Sequence, residues 1–214
     1  MQKNTGKNIS IAMLAAAAFV VMALIRIPVV LFLKYEPKDI IIAISGFIYG
    51  PLTALIITLI VSAVEMVTIS TTGFIGLVMN VLSTACFACA SSYIYKKHRT
   101  LKGAVIGLTA GSLIMVVMML LWNYLITPIY MGYPREAVAK MLIPVFLPFN
   151  LVKASLNTAI TLLIYKPLTT ALKKAHLLES KDEKPASKNV LIIIVSFVII
   201  ISSVLIILAF NKII

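Results

Sequence analysis

Long apolar runs recur through almost the whole of this 214-residue chain, and they restrict its fold more than any other feature. Each run approaches the ~20 residues that an α-helix needs to cross a ~30 Å hydrocarbon core. Only 12% of the residues are charged, whereas soluble domains carry about 25%. The sequence therefore predicts an all-α, polytopic membrane protein that is surrounded by lipid.

Helix breakers between the runs predict six bundled helices and an additional seventh. The second run is too short to span the membrane upright, and it meets Gly50-Pro51, which ends or kinks a helix. The predicted helices cover residues 9–33, 40–49, 51–67, 75–95, 103–127, 140–172 and 189–210. The corresponding regions are a six-helix domain at 1–175, a charged cytoplasmic linker at 176–188 and an additional C-terminal transmembrane helix at 189–214.

Basic residues between the runs predict the orientation of the chain. A cytoplasmic N-terminus agrees with the positive-inside rule, because it places 12 of the 19 Lys and Arg residues on the inner side. Those residues are Lys3, Lys7, Lys96, Lys97, Arg99, Lys102, Lys166, Lys173, Lys174, Lys181, Lys184 and Lys188. The basic residues behind the net charge of +12 thus lie where the positive-inside rule places them. Since no aromatic-studded basic face accompanies the charge, we do not expect a nucleic acid as partner.

The segment FNLVKASLNT at 149–158 carries polar side chains in apolar surroundings. At ~100° per residue, Asn150, Lys153 and Asn157 fall within an arc of roughly 60° and share one helix face. A cation near the bilayer centre costs about 2.5–3.5 kcal/mol, so Lys153 needs a partner or a watery cavity. The stripe predicts either ligand contact or a structural role, in which Lys153 bridges to a residue such as Glu65 and the asparagines join helices.

Further polar and aromatic residues fall on the outer half of the predicted bundle and indicate a pocket open to the exterior. Glu65 can pair with Lys153, accept hydroxyl groups of a ligand, or meet water at the outer interface. Asp39 is as well placed to cap the second helix as to contact a ligand. Tyr124 fits either the pocket or an interfacial aromatic belt. The other candidates on this side are Lys38, Thr71, Thr72 and Asn123.

Small residues at four-residue spacing predict two close approaches between helices. Gly103, Gly107 and Gly111 at the start of the fifth helix favour contact within the chain. Ala12 and Ala16 on the first helix fit contact with a second protein at least as well.

No constellation in the sequence fits catalysis or a metal site. Cys86 and Cys89 lie in an apolar run without a nearby histidine or cation, which is typical of helix packing. The sequence contains no phosphate-binding G-x-x-x-x-G-K-[ST] motif, so it does not hydrolyse ATP by that route. The pocket is therefore predicted to bind a molecule, and any energy for uphill transport comes from elsewhere.

The residues of the predicted pocket lie in segments that resemble a known family. The chain is similar to the riboflavin-specific substrate-binding subunit of energy-coupling factor (ECF) transporters over about residues 8–172. The segments that carry the resemblance are FLKYEPKDI (32–40), GFIYGP (46–51), VEMVTISTTGFIG (64–76), WNYLITPIYMGYPREAV (122–138) and IPVFLPFNLVKASLN (143–157). The WNYLITP and PFN segments are the most specific.

The resemblance implies a six-helix membrane subunit that captures riboflavin from outside, without chemistry and without a cofactor. It implies a complex with a transmembrane coupling subunit and two ATP-binding cassette ATPases, docked through the A-x-x-x-A pattern of Ala12 and Ala16. The implied flavin contacts are Asn123, Asn150, Lys153 and Asn157, with Thr71, Thr72 and the YEPKD loop closing around the ligand. A subunit for another vitamin and a stand-alone secondary carrier are the alternatives. The helix at 189–210 departs from the six-helix family and is predicted to face lipid.

Overall fold

The computed structural model describes residues 2–174 and 190–210. The helices in these residues are α1 (Gln2–Leu24), α2 (Lys38–Tyr49), α3 (Pro51–Thr68), α4 (Gly73–Lys97), α5 (Leu101–Leu125), α6 (Thr127–Met131), α7 (Arg135–Met141), α8 (Leu147–Lys174) and α9 (Val190–Phe210). One π-helical turn, Leu142–Phe146, joins α7 to α8. A hairpin of β1 (Ile27–Val30) and β2 (Leu33–Tyr35) follows α1. The predicted linker at 176–188 lies outside the described residues.

Six segments of the described chain are long and apolar enough to cross a membrane, so the protein is a multi-pass membrane protein. They are α1, α3, α4, α5, the continuous run from α7 into α8, and α9. The short second helix is confirmed, because α2 has 12 residues and is therefore only about 18 Å long. Gly50 adopts a φ of +100°, which a residue with a side chain rarely adopts, and Pro51 begins α3. This pair turns the chain sharply between α2 and α3.

The first helix is shorter than the predicted 9–33, because α1 ends at Leu24 and the antiparallel hairpin follows. Pro28 gives the physical reason, since a proline disfavours the helical conformation at the preceding residue, Ile27. The turn of the hairpin holds Leu31 at a φ of +53°, which is uncommon for any residue but glycine. The all-α class is confirmed, but the prediction missed this small sheet. We call the end of the bundle that carries it the hairpin end.

The predicted close approach of the glycines is confirmed, and it joins α4 to α5. A Cβ atom on Gly107 would lie 2.6 Å from the carbonyl oxygen of Ser91, and one on Gly111 would lie 2.5 Å from that of Phe87. Real side chains do not tolerate such distances, so only glycine permits this spacing of the two helices. The backbone of α5 therefore lies directly against α4.

Two buried apolar clusters position the helices around the site. The larger cluster contains side chains of the five helices α1 through α5 and of α8, among them Phe87, Leu108 and Met115. Cys86 and Cys89 pack against it. The second cluster lies at the hairpin end and combines both strands with residues of α7, α8 and α9. The buried polar residues of α2, α3, α4, α5 and α8 lie between these helices and form the site.

Candidate ligand-binding site

Asp39 and Lys153 form a buried ion pair that joins α2 to α8. Lys153 Nζ lies 3.1 Å from Asp39 Oδ2, and Asn157 Nδ2 donates a hydrogen bond of 3.1 Å to the same oxygen. On the other side, Thr84 of α4 donates to Asp39 Oδ1 at 2.6 Å. The cation of the polar stripe is thus paired inside the bundle, which offsets part of the cost of burying it away from water.

Two expectations about these residues are wrong. The residue before the first turn of α2 is Pro37, and no side chain caps the helix, because the carboxylate of Asp39 is directed towards α4 and α8 instead. The partner of Lys153 is Asp39 and not Glu65, and Lys153 also donates to Ser83 Oγ at 3.2 Å. Burial disfavours the charged form of Asp39, but the charges of Lys153 and Lys38 outweigh burial and hold its pKa below the ordinary 3.8.

Glu65 anchors a second buried ion network, at the hairpin end. Its Oε1 lies 3.0 Å from Arg26 Nη2, its Oε2 pairs with Lys38 Nζ, and Asn80 Nδ2 donates to both oxygens at 3.0 Å. Glu36 completes the network, with Arg26 Nε at 2.7 Å and Lys38 Nζ at 3.1 Å. The side chains of Glu65 and Lys38 are only 2% and 1% exposed. The expectation that Glu65 meets water at the membrane surface, or pairs with Lys153, is therefore wrong.

The second network connects the two ends of the hairpin to α2, to α3, to α4 and to the loop between α3 and α4. Arg26 also donates from Nη1 to the carbonyl oxygen of Ile69 at 2.6 Å, so one guanidinium links the start of the hairpin to α3 and to the loop that leads into α4. Burial disfavours a charged Glu36, but the cations of Lys38, Lys153 and Arg26 outweigh it and keep the pKa of this carboxyl below its ordinary 4.5. Glu36 therefore stays charged at neutral pH, and the ion pairs of the network fix the loops at the hairpin end.

A polar cavity lies between the hairpin, α4, α5 and α8. It holds open space of about 360 Å³, part of it continuous with solvent. Three of the predicted residues, Asn123, Asn150 and Lys153, line it. The remaining lining residues are Leu33, Lys34, Met79, Asn80, Ser83, Met119 and Phe149. Because amide, hydroxyl and ammonium groups converge here within an apolar wall, the cavity can hydrogen-bond the polar edge of a ligand.

Hydrogen bonds along the helices fix the two cavity asparagines. Asn150 Nδ2 donates to the carbonyl oxygen of Phe146 at 2.7 Å, at the point where the π-helical turn ends. Asn123 Nδ2 donates to the carbonyl oxygen of Met119 at 2.7 Å, and its Oδ1 accepts a hydrogen bond of 2.9 Å from Thr127. Both amides are at most 2% exposed and are therefore held in defined orientations at the cavity wall.

A second, mainly apolar and aromatic cavity adjoins the first. Its open space, part of which is continuous with solvent, is about 230 Å³, and it shares Met79 with the polar cavity. The hydrogen bond between Asn123 and Thr127 also crosses the boundary, because the first residue lines the polar cavity and the second lines the aromatic one. The lining of the aromatic cavity is Phe32, Thr72, Ile75, Gly76, Met79, Trp122, Ile126, Thr127 and Tyr130.

Among the other predicted residues, Thr72 lines the aromatic cavity, and the rest lie outside the two cavity linings. Asn157, Asp39, Lys38 and Glu65 are buried next to the polar cavity in the ion networks. Thr71 is exposed on the loop between α3 and α4. The side chain of Tyr124 is 38% exposed, and its ring lies 5.5 Å from the guanidinium carbon of Arg135. Ala12 and Ala16 are both exposed on α1.

Sequence reasoning missed several residues of the site, among them Arg26, Asn80 and Ser83. Arg26 is a cation inside the first apolar run, which is the signal that had singled out Lys153. Ser83 and Thr84 follow Asn80 by three and four residues in the fourth run. All three therefore lie towards one side of the helix, as Asn150, Lys153 and Asn157 do. The same test applied to every run would have found them.

The fold and the site together define a class: a membrane-embedded binding protein with its ligand cavities among the helices. All the carboxylates of the site are bound in ion pairs, so none is free to act as a catalytic base. Within the described part of the chain, no group of three or more His, Cys, Asp or Glu side chains could hold a metal ion.

Comparison with known proteins gives the family. The pattern of the family described as "ECF transporter, substrate-specific component" matches residues 8–165, which is well over half of the chain. The protein therefore belongs to the substrate-specific components of ECF transporters, which bind a solute and leave ATP hydrolysis to partner subunits. The structure is also similar to that of the S component of a bacterial ECF transporter, with a TM-score of 0.67 and 26% identity over 81% of this chain and 99% of the other.

Three curated relatives are named as riboflavin transporters. RibU of Streptococcus thermophilus is 29% identical over 183 residues, which cover 80% of this chain and 86% of the relative. FmnP of Bacillus subtilis is 28% identical over 186 residues, covering 80% of this chain and 97% of the relative. RibU of Staphylococcus aureus is 27% identical over 183 residues, covering 81% and 95%.

Proposed function

We propose that this protein is the riboflavin-binding membrane subunit of an ECF transporter, which captures the vitamin and delivers it through an ATP-driven complex. The observation that carries the ligand identity is the similarity to three riboflavin transporters over about four-fifths of the chain. The two cavities support it, because one is mainly aromatic and the other polar. Riboflavin has the matching division into a flat apolar ring system and polar groups.

The contact set follows from the cavity linings. Asn123, Asn150 and Lys153 are proposed to hydrogen-bond the polar groups of the vitamin from the polar cavity, while Trp122 and Tyr130 supply flat apolar walls for the ring system. Asn157 adds a buried Oδ1 that accepts no hydrogen bond from the described residues. Since riboflavin is neutral, a site whose buried cations are paired with buried carboxylates suits it, and Lys34 adds one further cation at the wall of the polar cavity.

The remaining predicted residues are assigned supporting roles. Asp39 orients Lys153 and Asn157 by accepting from both. Lys38 and Glu65 hold the loops at the hairpin end through the second ion network. Thr72 lines the aromatic cavity and Thr71 lies beside it on the same loop, so this loop can close over a bound ring. Tyr124, which lines neither cavity, is left out of the contact set.

The orientation and the partners belong to the same proposal. The positive-inside bias favours a cytoplasmic N-terminus, which places the hairpin end and both cavities towards the exterior, where the vitamin arrives. The exposed pair Ala12 and Ala16 on α1 presents a small-residue surface on which a second membrane helix can pack closely. We propose that the coupling subunit docks there and that two ATP-binding cassette ATPases supply the energy.

Purification in detergent tests this function directly. A protein that retains riboflavin shows the flavin absorption bands. Added unlabelled riboflavin should displace bound radiolabelled riboflavin, whereas other vitamins in equal excess should not. A subunit for another vitamin would bind that vitamin in the same competition and ignore riboflavin. For the stand-alone carrier, vesicles containing this chain alone would accumulate riboflavin under an ion gradient. The proposal expects uptake only with partner subunits and ATP.

A further inference from the structure

The C-terminal helix α9 lies outside the region that matches the family, which ends at residue 165. It packs along α8 and touches β1 of the hairpin. Its buried residues are Ser196, Ser203 and Ile207, which lie on one helix face at spacings of seven and four residues. The small serines let α9 approach α8 closely, and the larger Ile207 projects where the helix reaches the hairpin end.

The hairpin forms part of the wall of both cavities. Phe32 lines the aromatic cavity, and Leu33 and Lys34 line the polar one. An isolated two-stranded hairpin is marginally stable at best, and this one has strands of four and three residues with the left-handed Leu31 in its turn. Its position therefore depends on the side chains against which it packs.

Residue Ile207 belongs to the buried cluster that holds the hairpin. That cluster contains Val29, Leu33 and Tyr35 from the strands, together with Phe146 of the π-helical turn and side chains of α7 and α8 such as Phe149. Ile207 is 7% exposed, whereas its neighbour Ile206 is 42% exposed. Two further α9 residues, Ile200 and Phe210, pack against the same cluster. The last turns of α9 thus support β1 directly, and through it the paired strand β2, whose Leu33 lines the polar cavity.

We infer that α9 braces the hairpin over the binding site, and that Ile207 is a positioning residue that slows the release of the bound vitamin. Removing its apolar contacts weakens the cluster behind β1 and β2, so the hairpin opens more often. The part of this inference that concerns the vitamin rests on the proposed function, whereas the bracing of the hairpin does not.

Hydrogen exchange in the ligand-free protein tests the brace without riboflavin. Ile207→Ala is expected to speed the exchange of the backbone amides of 27–35 about tenfold, while amides in the centres of α3 and α5 exchange as in the wild type. Ile206→Ala, the same change at the adjacent exposed position, serves as the matched control and should change nothing. Equal exchange of 27–35 in the wild type and in Ile207→Ala overturns the inference.

Release kinetics then test the consequence for the ligand. Riboflavin dissociation, followed by the recovery of flavin fluorescence, is expected to be about tenfold faster from Ile207→Ala, with the association rate nearly unchanged. Ile207→Leu should restore slow release, because it refills the apolar contact. A purely folding defect would lower the fraction of active protein and leave the dissociation rate of the remainder as in the wild type, which contradicts the inference. Absence of riboflavin binding in the wild type would instead refute the proposed function, with the exchange result still standing.

Discussion

Lys153 of α8 and Asp39 of α2 meet in a buried ion pair, with Nζ and Oδ2 3.1 Å apart. Lys153 is 7% exposed and Asp39 is fully buried. The pair holds Lys153 at the wall of the polar cavity and fixes α2 against the helix that carries the polar stripe. It therefore explains how an apolar bundle keeps a cation beside its ligand cavity.

Replacement of Asp39 by Asn should destabilise the protein strongly, because Lys153 would keep a buried charge without a counter-charge. Breaking one side of a buried pair costs about 3–5 kcal/mol, and the loss should appear as a lower midpoint of thermal unfolding in detergent. The double variant Asp39→Asn/Lys153→Met removes the stranded charge and should recover most of the loss. An Asp39→Asn protein as stable as the wild type would show that the pair does not neutralise Lys153.

Truncation of the cavity asparagines should weaken riboflavin binding and leave the fold intact. Asn123→Ala and Asn150→Ala each remove a positioned polar group, at a cost of about 1–3 kcal/mol, or about 5- to 150-fold in Kd. Titration of flavin fluorescence measures this change. Asn8→Ala on exposed α1 is the matched control, and Tyr124→Ala should also bind as the wild type does. Unaltered affinity in both cavity variants would remove them from the site.

Bulky residues on the exposed face of α1 should separate uptake from binding. Ala12→Trp and Ala16→Trp would prevent the close approach of a partner helix, so riboflavin uptake into cells should fall to background while the purified variant still binds the vitamin. Leu113→Trp, an equally large residue at a position 60% exposed on α5, should leave uptake unchanged. Normal uptake by the two α1 variants would place the docking surface elsewhere.

The glycine contact between α4 and α5 should not tolerate a methyl group. Gly111→Ala would place its Cβ 2.5 Å from the carbonyl oxygen of Phe87, and overpacking of this kind costs about 1–3 kcal/mol. The thermal midpoint in detergent should fall. Gly6→Ala, where nothing lies within 4 Å of the new Cβ, should be neutral or slightly stabilising. If Gly111→Ala and Gly6→Ala unfold at the same temperature, the two helices have room to separate and the contact is not restrictive.

Helix positions and the glycine contact were predictable because hydrophobicity and side-chain size act locally along the chain. The break at Gly50-Pro51 and the helix over 190–210 agree with the structure for this reason. The hairpin was missed although Pro28 signals a helix end, since the apolar run continues through residues 27–33 and hides the change of conformation.

Partners within the site were not predictable, because they depend on which helices meet. Asp39 lies at the position in the chain where a helix-capping residue is expected, yet its carboxylate binds Thr84 and Lys153 across the bundle. The sequence alone allows Glu65 to pair with any of several cations. In the structure it pairs with Arg26 and Lys38. Periodicity places a polar residue on a face, but only the packing of the helices decides what lies opposite.

The most direct test of the central proposal is a titration of the purified wild-type protein with riboflavin, followed by the quenching of flavin fluorescence. The proposal predicts saturable quenching at one riboflavin per chain, with a Kd below about 1 μM. Flavin fluorescence that rises in proportion to the added riboflavin, with no saturable quenching, would contradict it.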